Sequence, residues 1–390
     1  MNRHPLPAGF RAIVTTAVIA GIALTAFTLA TATVSVLFAR AVVTPPRRRE
    51  QDVRILASTP TTVTLSRTAD SLTPGRYSLW FSADTGHARV GEIVGNDSTS
   101  VTRMLLGVDF GDLEAATRGR WSGWFFLSPA DLGLRYADVQ VPTEFGPAPA
   151  WVVLPEASGG RWMIGVHGRA VRREETLRSV PVFRAAGYTS LLISYRNDGD
   201  APSSPDRRYG LGDTEWEDVA AAIRYACAHG ATRIVLMGWS MGGATVLQAA
   251  MRSPVEPGVI IGLVLESPVV DWGTALDYQG AAYHLPGFAR WAVRQLLSRK
   301  GARWLIGQAE AINLGRLDLV TRAAELQVPI LLMHSIDDGY VPDTASRALA
   351  LARPDLVTWE EFTVARHTKL WNYDPDRWNS MIADWLVDLD

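Results

Sequence analysis

The chain has little cysteine and little lysine. Cys227 is its only cysteine, so no intrachain disulfide can form and a disulfide scaffold is excluded. Lys300 and Lys369 are its only lysines, and arginine supplies nearly all the positive charge. The formal net charge is −2, with no surplus of either sign to draw nucleic acid or another strongly charged partner. No Cys/His cluster has the spacing of a metal site, and no glycine-rich loop has the pattern of a phosphate cradle. Neither a metal nor a cofactor is expected. What remains is ordinary for a globular protein: 47% hydrophobic and 20% charged residues. At 390 residues the chain has room for more than one folded unit.

Charge is also missing from one long stretch. Between Arg11 and Arg40 there is no charged side chain. A helix over Ala12–Ala39 exceeds the ~30 Å hydrocarbon core of a bilayer at ~1.5 Å per residue. It is also longer than the ~7–15 apolar residues of a secretory signal. The expectation is a retained single-pass transmembrane helix over residues 12–39, and so a membrane partner. Arginines flank both ends: Arg3 and Arg11 before, Arg40, Arg47, Arg48, Arg49 and Arg54 after. The positive-inside rule keeps the C-terminal side in the cytoplasm, whereas a short tail before a signal-like helix argues the reverse. The side on which the rest of the chain lies stays open.

Residues 40–55, which include "TPPRRREQD", read as a linker. Residues 56–135 hold short β-like pieces, such as "TTVTL", "RYSLWF" and "ARVGEIV", between turn-prone segments. They read as a small β-rich module without chemistry of its own, and its one histidine, His87, as structural or exposed. From Tyr136 onward near-continuous apolar runs alternate with helical segments. "RWMIGVHG", "TSLLISYR", "TRIVLMG", "VIIGLVLESP" and "VPILLMHS" have the character of strands buried on both faces. "YADVQVP" and "APAWVVLP" read as a hairpin before them. The helix after "TEWEDVAAAIRYACAHG" begins is expected to carry a capping box from Thr214 to Glu217. The alternation predicts an α/β fold with a mostly parallel sheet over 136–390. Residues 271–326 interrupt it and predict a helical cap.

Three strand ends carry the chemistry. Gly238-Trp239-Ser240-Met241-Gly242 fits G-x-S-x-G, with a strand before it and a helix-compatible segment after it. That context predicts a strained turn exposing the Ser240 hydroxyl, with Gly238 and Gly242 removing side chains that would collide. A serine needs a base. Of the seven histidines, His367 follows the final strand and is placed to reach the carboxyl edge of the sheet. The base needs an acid; Asp337, Asp338 and Asp271 each follow a strand. An oxyanion needs donors: the backbone N–H of Met241 follows the nucleophile, and the N–H of Arg169 follows Gly168 at an earlier strand end.

These residues resemble the α/β-hydrolase superfamily. The similarity rests on His167-Gly168, on Gly238 to Gly243, on His334 to Pro342 and on His367, in the order nucleophile, acid, base. In the family pattern H-G-x-x-D-x-x-V-P the acid is the fifth residue, which selects Asp338; Ser335 stands where the family has glycine. The resemblance covers about two-thirds of the chain and not the apolar segment or the β-rich module. It implies a serine hydrolase of esterase, lipase or thioesterase type acting on a small-molecule or lipid-like acyl substrate, and the uncharged stretch adds the expectation that it is membrane-anchored. A prolyl-oligopeptidase-like serine peptidase and an acyltransferase would use the same three residues. A tethered binding protein that kept the fold is the reading from a different class.

Overall fold

The structure is a computed structural model and describes residues 27–156 and 159–389. The described part of the apolar segment begins it. Residues 27–43 form helix α1. Ser35, Ala39 and Val43 recur every four residues on one face and are buried. That face lies on the body of the protein rather than standing free. The Ser35 hydroxyl donates to the carbonyl of Ala289 at 3.4 Å, and the backbone N–H of Tyr209 donates to that of Val43 at 2.8 Å. Among the described residues no helix is long and apolar enough to cross a membrane. Residues 12–26 of the expected span lie outside the described residues. The expected linker, 40–55, is shorter than predicted, because α1 runs to residue 43 and the first strand begins at Val53.

Strands β1 (Val53–Ser58), β2 (Thr62–Ser66), β3 (Tyr77–Phe81), β4 (Gly86–Asn96), β5 (Ser100–Phe110) and β6 (Arg118–Ser122) close into a barrel in the order β1-β2-β5-β4-β3-β6. Closure leaves no free edge. Inward residues such as Val63, Leu65, Leu79, Phe81 and Val90 fill it. Arg103 is buried there too, and donates to the carbonyls of Gly91, Ser71, Thr73 and Gly75 at 2.7–2.9 Å.

The second unit contains β7 (Tyr136–Thr143), β8 (Gly146–Val153), β9 (Arg161–Val166), α2 (Val180–Ala185), β10 (Thr189–Ile193), α3 (Trp216–Ala228), β11 (Arg233–Trp239), α4 (Met241–Arg252) and β12 (Ile260–Glu266). After β12 come three helices, α5 (Trp272–Ala282), α6 (Gly287–Ser298) and α7 (Arg303–Ile306). The chain then adds β13 (Ile330–Ser335), α8 (Thr344–Ala352), β14 (Val357–Phe362), α9 (Leu370–Tyr373) and α10 (Pro375–Val387). The eight strands order as β14-β13-β12-β11-β9-β10-β8-β7. The sheet is mixed rather than mostly parallel. From β10 to β14 the neighbours run parallel, while β8 is antiparallel to both β7 and β10. The expected hairpin accounts for this: Thr143 faces Gly146 across a tight connection, which reverses the chain within the sheet.

The capping box at α3 does not form. The N-cap is Glu215, whose buried carboxylate takes the N–H groups of Gly210 and Gly212, and Glu217 pairs with Arg196 at 3.0 Å. Two apolar layers cover the faces of the sheet. One packs α3, α4 and the α5–α7 insertion, the other α2, α9 and α10.

Candidate active site

Ser240 lies between β11 and α4, with φ 51° and ψ −117°. This is strained backbone for a residue with a side chain. The neighbouring glycines are what permit it. A Cβ on Gly238 would sit 2.4 Å from the carbonyl oxygen of Gly242, and one on Gly242 would sit 2.2 Å from that of Val166. The turn therefore has room for a side chain at Ser240 and none at Gly238 or Gly242.

The parallel strands bring the other predicted residues to it. His367 follows β14, between Arg366 and Thr368, both with positive φ. Its Nδ1 lies 2.6 Å from Asp338 Oδ2 and its Nε2 lies 3.0 Å from Ser240 Oγ. A carboxylate only accepts, so Nδ1 carries the proton and Nε2 presents its lone pair to the serine hydroxyl. Asp338 is buried and fully partnered. Its Oδ1 takes the N–H groups of Tyr340 and Val341 at 2.8 Å, and its Oδ2 also faces His334 Nε2 at 3.1 Å. Burial alone would push its carboxyl up. The charge of His367, with hydrogen bonds from His334 and His367, outweighs that and holds it well below the usual carboxylate range.

The other two aspartates serve elsewhere. Asp271 caps α5 by accepting from the N–H groups of Gly273 and Thr274. Asp337 accepts from the Ser335 hydroxyl at 2.6 Å and from the Arg366 N–H at 2.9 Å, and so fixes the turn around Asp338.

Met241 is the first residue of α4, where a backbone N–H has no partner inside the helix. Gly168 approaches so closely that a Cβ on it would lie 3.3 Å from the Cβ of Ser240. Its own N–H is committed to Glu175 Oε2 at 2.7 Å. The N–H of Arg169 has no acceptor among the described residues. The Arg169 side chain turns away and donates to the carbonyls of Val42 at 2.8 Å and Ala41 at 2.6 Å, holding the end of α1.

A cavity of about 420 Å³ opens beside Ser240. Its walls are mostly apolar: Phe38, Ala41 and Val42 from α1, and Trp272, Leu276 and Tyr283 from α5 and its C-terminal end. Of these, Phe38 belongs to the segment 12–39 expected in a membrane, and Ala41 and Val42 to the expected linker.

Sequence reasoning missed a buried polar group beneath the site. Glu175, Arg178 and Glu266 cluster there, with Arg178 3.9 Å from Glu175 and 4.0 Å from Glu266. Arg178 donates to the carbonyl of Thr368 and to Asn372 Oδ1, both at 2.8 Å, beside the base. Glu266 takes the indole N–H groups of Trp239 and Trp378 and the N–H of Leu370. One signal was legible: Glu266 ends an otherwise apolar strand.

Residues 157–380 match the alpha/beta hydrolase family, and residues 54–122 match a domain of unknown function, DUF8805. The family match spans more than half the chain, so the chain belongs to the alpha/beta hydrolase family. No curated protein matches the sequence. Among solved structures, an esterase of Pyrococcus furiosus, Pf2001, shares 19% identity with a TM-score of 0.51, covering 67% of this chain and 94% of its own. An esterase of Rhodococcus sp., RhEst1, shares 20% identity with a TM-score of 0.44, covering 66% of this chain and 99% of its own. A puromycin-hydrolyzing peptidase of Mycobacterium tuberculosis shares 18% identity with a TM-score of 0.48, covering 84% of this chain and 45% of its own. The Pf2001 likeness places the fold of the second unit, and these identities carry nothing about substrate.

Proposed function

We propose that the protein is a serine hydrolase that cleaves an acyl ester or thioester through an acyl-enzyme on Ser240. The observation that carries the reading is the unbroken hydrogen-bonded line from Asp338 through His367 to a strained serine at the head of a helix. In this reading His367 takes the Ser240 proton as Oγ attacks the acyl carbon. Asp338 keeps the ring in the tautomer that can do so. The N–H groups of Met241 and Arg169 receive the charge that develops on the carbonyl oxygen. The apolar cavity beside Ser240 suits the acyl part of a small-molecule or lipid-like substrate. No cofactor enters the scheme.

The test is covalent labelling. A fluorophosphonate should label the wild-type protein, and Ser240→Ala should lose both the label and ester turnover, by roughly 10⁶ in kcat. Equal labelling of the two proteins would reject Ser240 as nucleophile.

We also propose that the uncharged stretch 12–39 tethers the protein to a membrane. Sedimentation with membranes after an alkaline carbonate wash tests this; release into the supernatant would refute it.

A further inference from the structure

Two cavities border the Ser240–His367 pair, with Tyr340 in the lining of both. The apolar one includes Ser240 in its lining. The other, of about 300 Å³, includes His367 and not Ser240, and barrel residues Arg120, Trp121 and Ser122 form part of its wall. In acyl transfer the base returns the serine proton to the leaving oxygen. The leaving alcohol must therefore lie beside His367 Nε2, and His367 lines this second cavity.

We propose that the barrel-walled cavity is the subsite for the leaving alcohol, and that it takes a neutral polyhydroxylated one, a glycerol or sugar unit. The proposal rests on the serine-hydrolase reading and deepens it. The chemistry of the wall decides the class. Asp52, Asp70 and Glu175 face Arg120, Arg366 and Lys369 around the cavity, so the formal charges balance. Most are already engaged. Asp70 pairs with Lys369 at 3.2 Å and Arg366 at 3.5 Å, and Arg120 pairs with Asp84 at 3.3 Å. Asp52 accepts from the Trp121 N–H at 2.9 Å. Such a wall offers donors and acceptors together and no surplus charge for a phosphate or an ammonium group. The alkyl chain of a simple alcohol would strip water from these groups and return no hydrogen bond. Hydroxyl groups replace that water.

The step balances within the groups on the page. The Ser240 Oγ–acyl carbon bond forms and its proton passes to His367 Nε2. The acyl carbon–oxygen bond breaks, and the departing oxygen takes that proton and leaves as the alcohol. Water then attacks the acyl-enzyme, its proton passing through His367 to Ser240, and the acid is released.

The experiment uses the full-length protein and three esters of one acyl chain: a monoacylglycerol, an acyl sugar and a propyl ester. The expected result is a kcat/KM at least about tenfold higher for one of the polyol esters than for the propyl ester, the size a buried polar site gives when its partners are present. Whichever polyol leads identifies the source. Arg120→Leu should reduce that preference, with Arg120→Gln as the second variant should the first fail to fold. Equal kcat/KM for polyol and propyl esters, or a preference unchanged in the folded variants, would overturn the proposal. Loss of the parent reading looks different: fluorophosphonate labelling requires Ser240 and His367 but no alcohol, so an unlabelled wild-type protein would sink both.

Discussion

The barrel and the sheet each bury charge, and they do so to different ends. In the barrel, Arg103 gives its guanidinium to four backbone carbonyls and is closed off from solvent. Its partners are fixed peptide groups that neither titrate nor move. In the sheet, Asp338 is equally buried, but one of its partners is His367, whose side chain is 18% exposed and opens on a cavity. A buried charge surrounded by peptide carbonyls holds a fold together. A buried charge that leads to a partly exposed imidazole has a way to act outward.

That contrast can be broken at both ends. Of the two buried charges, Asp338 has the larger effect on turnover. Asp338→Asn should lower kcat by roughly 10⁴ with the fold retained, because an amide in place of the carboxylate can hold the wrong tautomer of His367. Steady-state kinetics and circular dichroism check the two halves of that statement. Arg103→Leu should do the opposite. It removes the donor from four buried carbonyls, each costing about 1–3 kcal/mol if left unsatisfied, and should destabilise the protein, read by denaturant unfolding. Fluorophosphonate labelling per folded molecule should stay near wild type. If Arg103→Leu instead lost labelling at unchanged stability, the division between the two buried charges would fail.

A smaller effect tests the seam between the units. Asp70 of the barrel side pairs with Lys369 and Arg366, which flank His367 in sequence. Partly exposed pairs of this kind contribute about 1 kcal/mol, so Asp70→Ala should slow kcat by roughly fivefold. A change in KM alone would show that Asp70 does not steady the histidine loop.

The smallest effect is a pH dependence inside the barrel. His87 is buried against Asp109 at 2.8 Å and Ser78 at 2.8 Å. Burial pushes its pKa below the ordinary value, although the hydrogen bond and charge of Asp109 act the other way. The unfolded chain therefore binds the proton at a higher pH than the folded chain does. Stability is full above the unfolded value of about 6.5 and declines as pH falls through the window below it. Thermal melting at pH 7.5 and 5.5 should show that decline, and His87→Gln should flatten it.

The hydrolase unit was legible because its evidence is local. A strand, a glycine-flanked serine and a helix follow one another in the chain, and the strained turn at Ser240 with the cleared space at Gly238 and Gly242 follows from them. Asp338 was separable from Asp337 by pattern, and the two partner different groups in the structure. What was not legible depends on contacts between distant residues. The pairing of Asp70 with Lys369 and of Asn372 with the carbonyls of Arg76 and Gly123 leaves no periodic trace in the sequence. Barrel closure is likewise a matter of β1 meeting β6. The apolar stretch is a different case, because only its end, from Phe27, lies among the described residues. Hydropathy says that a helix prefers to leave water, and an enzyme's own surface satisfies that preference as a bilayer does.

The position of α1 has a practical consequence for anyone producing the enzyme. The usual remedy for an apolar leader is to start the recombinant chain after it, at about Arg47. Such a truncated protein would lack Phe38, Ala41 and Val42 from the cavity and would release the Arg169 guanidinium from the carbonyls it holds. A low or altered activity measured on it would describe the missing helix, not the enzyme. Trimming that stops before Phe27 keeps Phe38, Ala41 and Val42 in the chain.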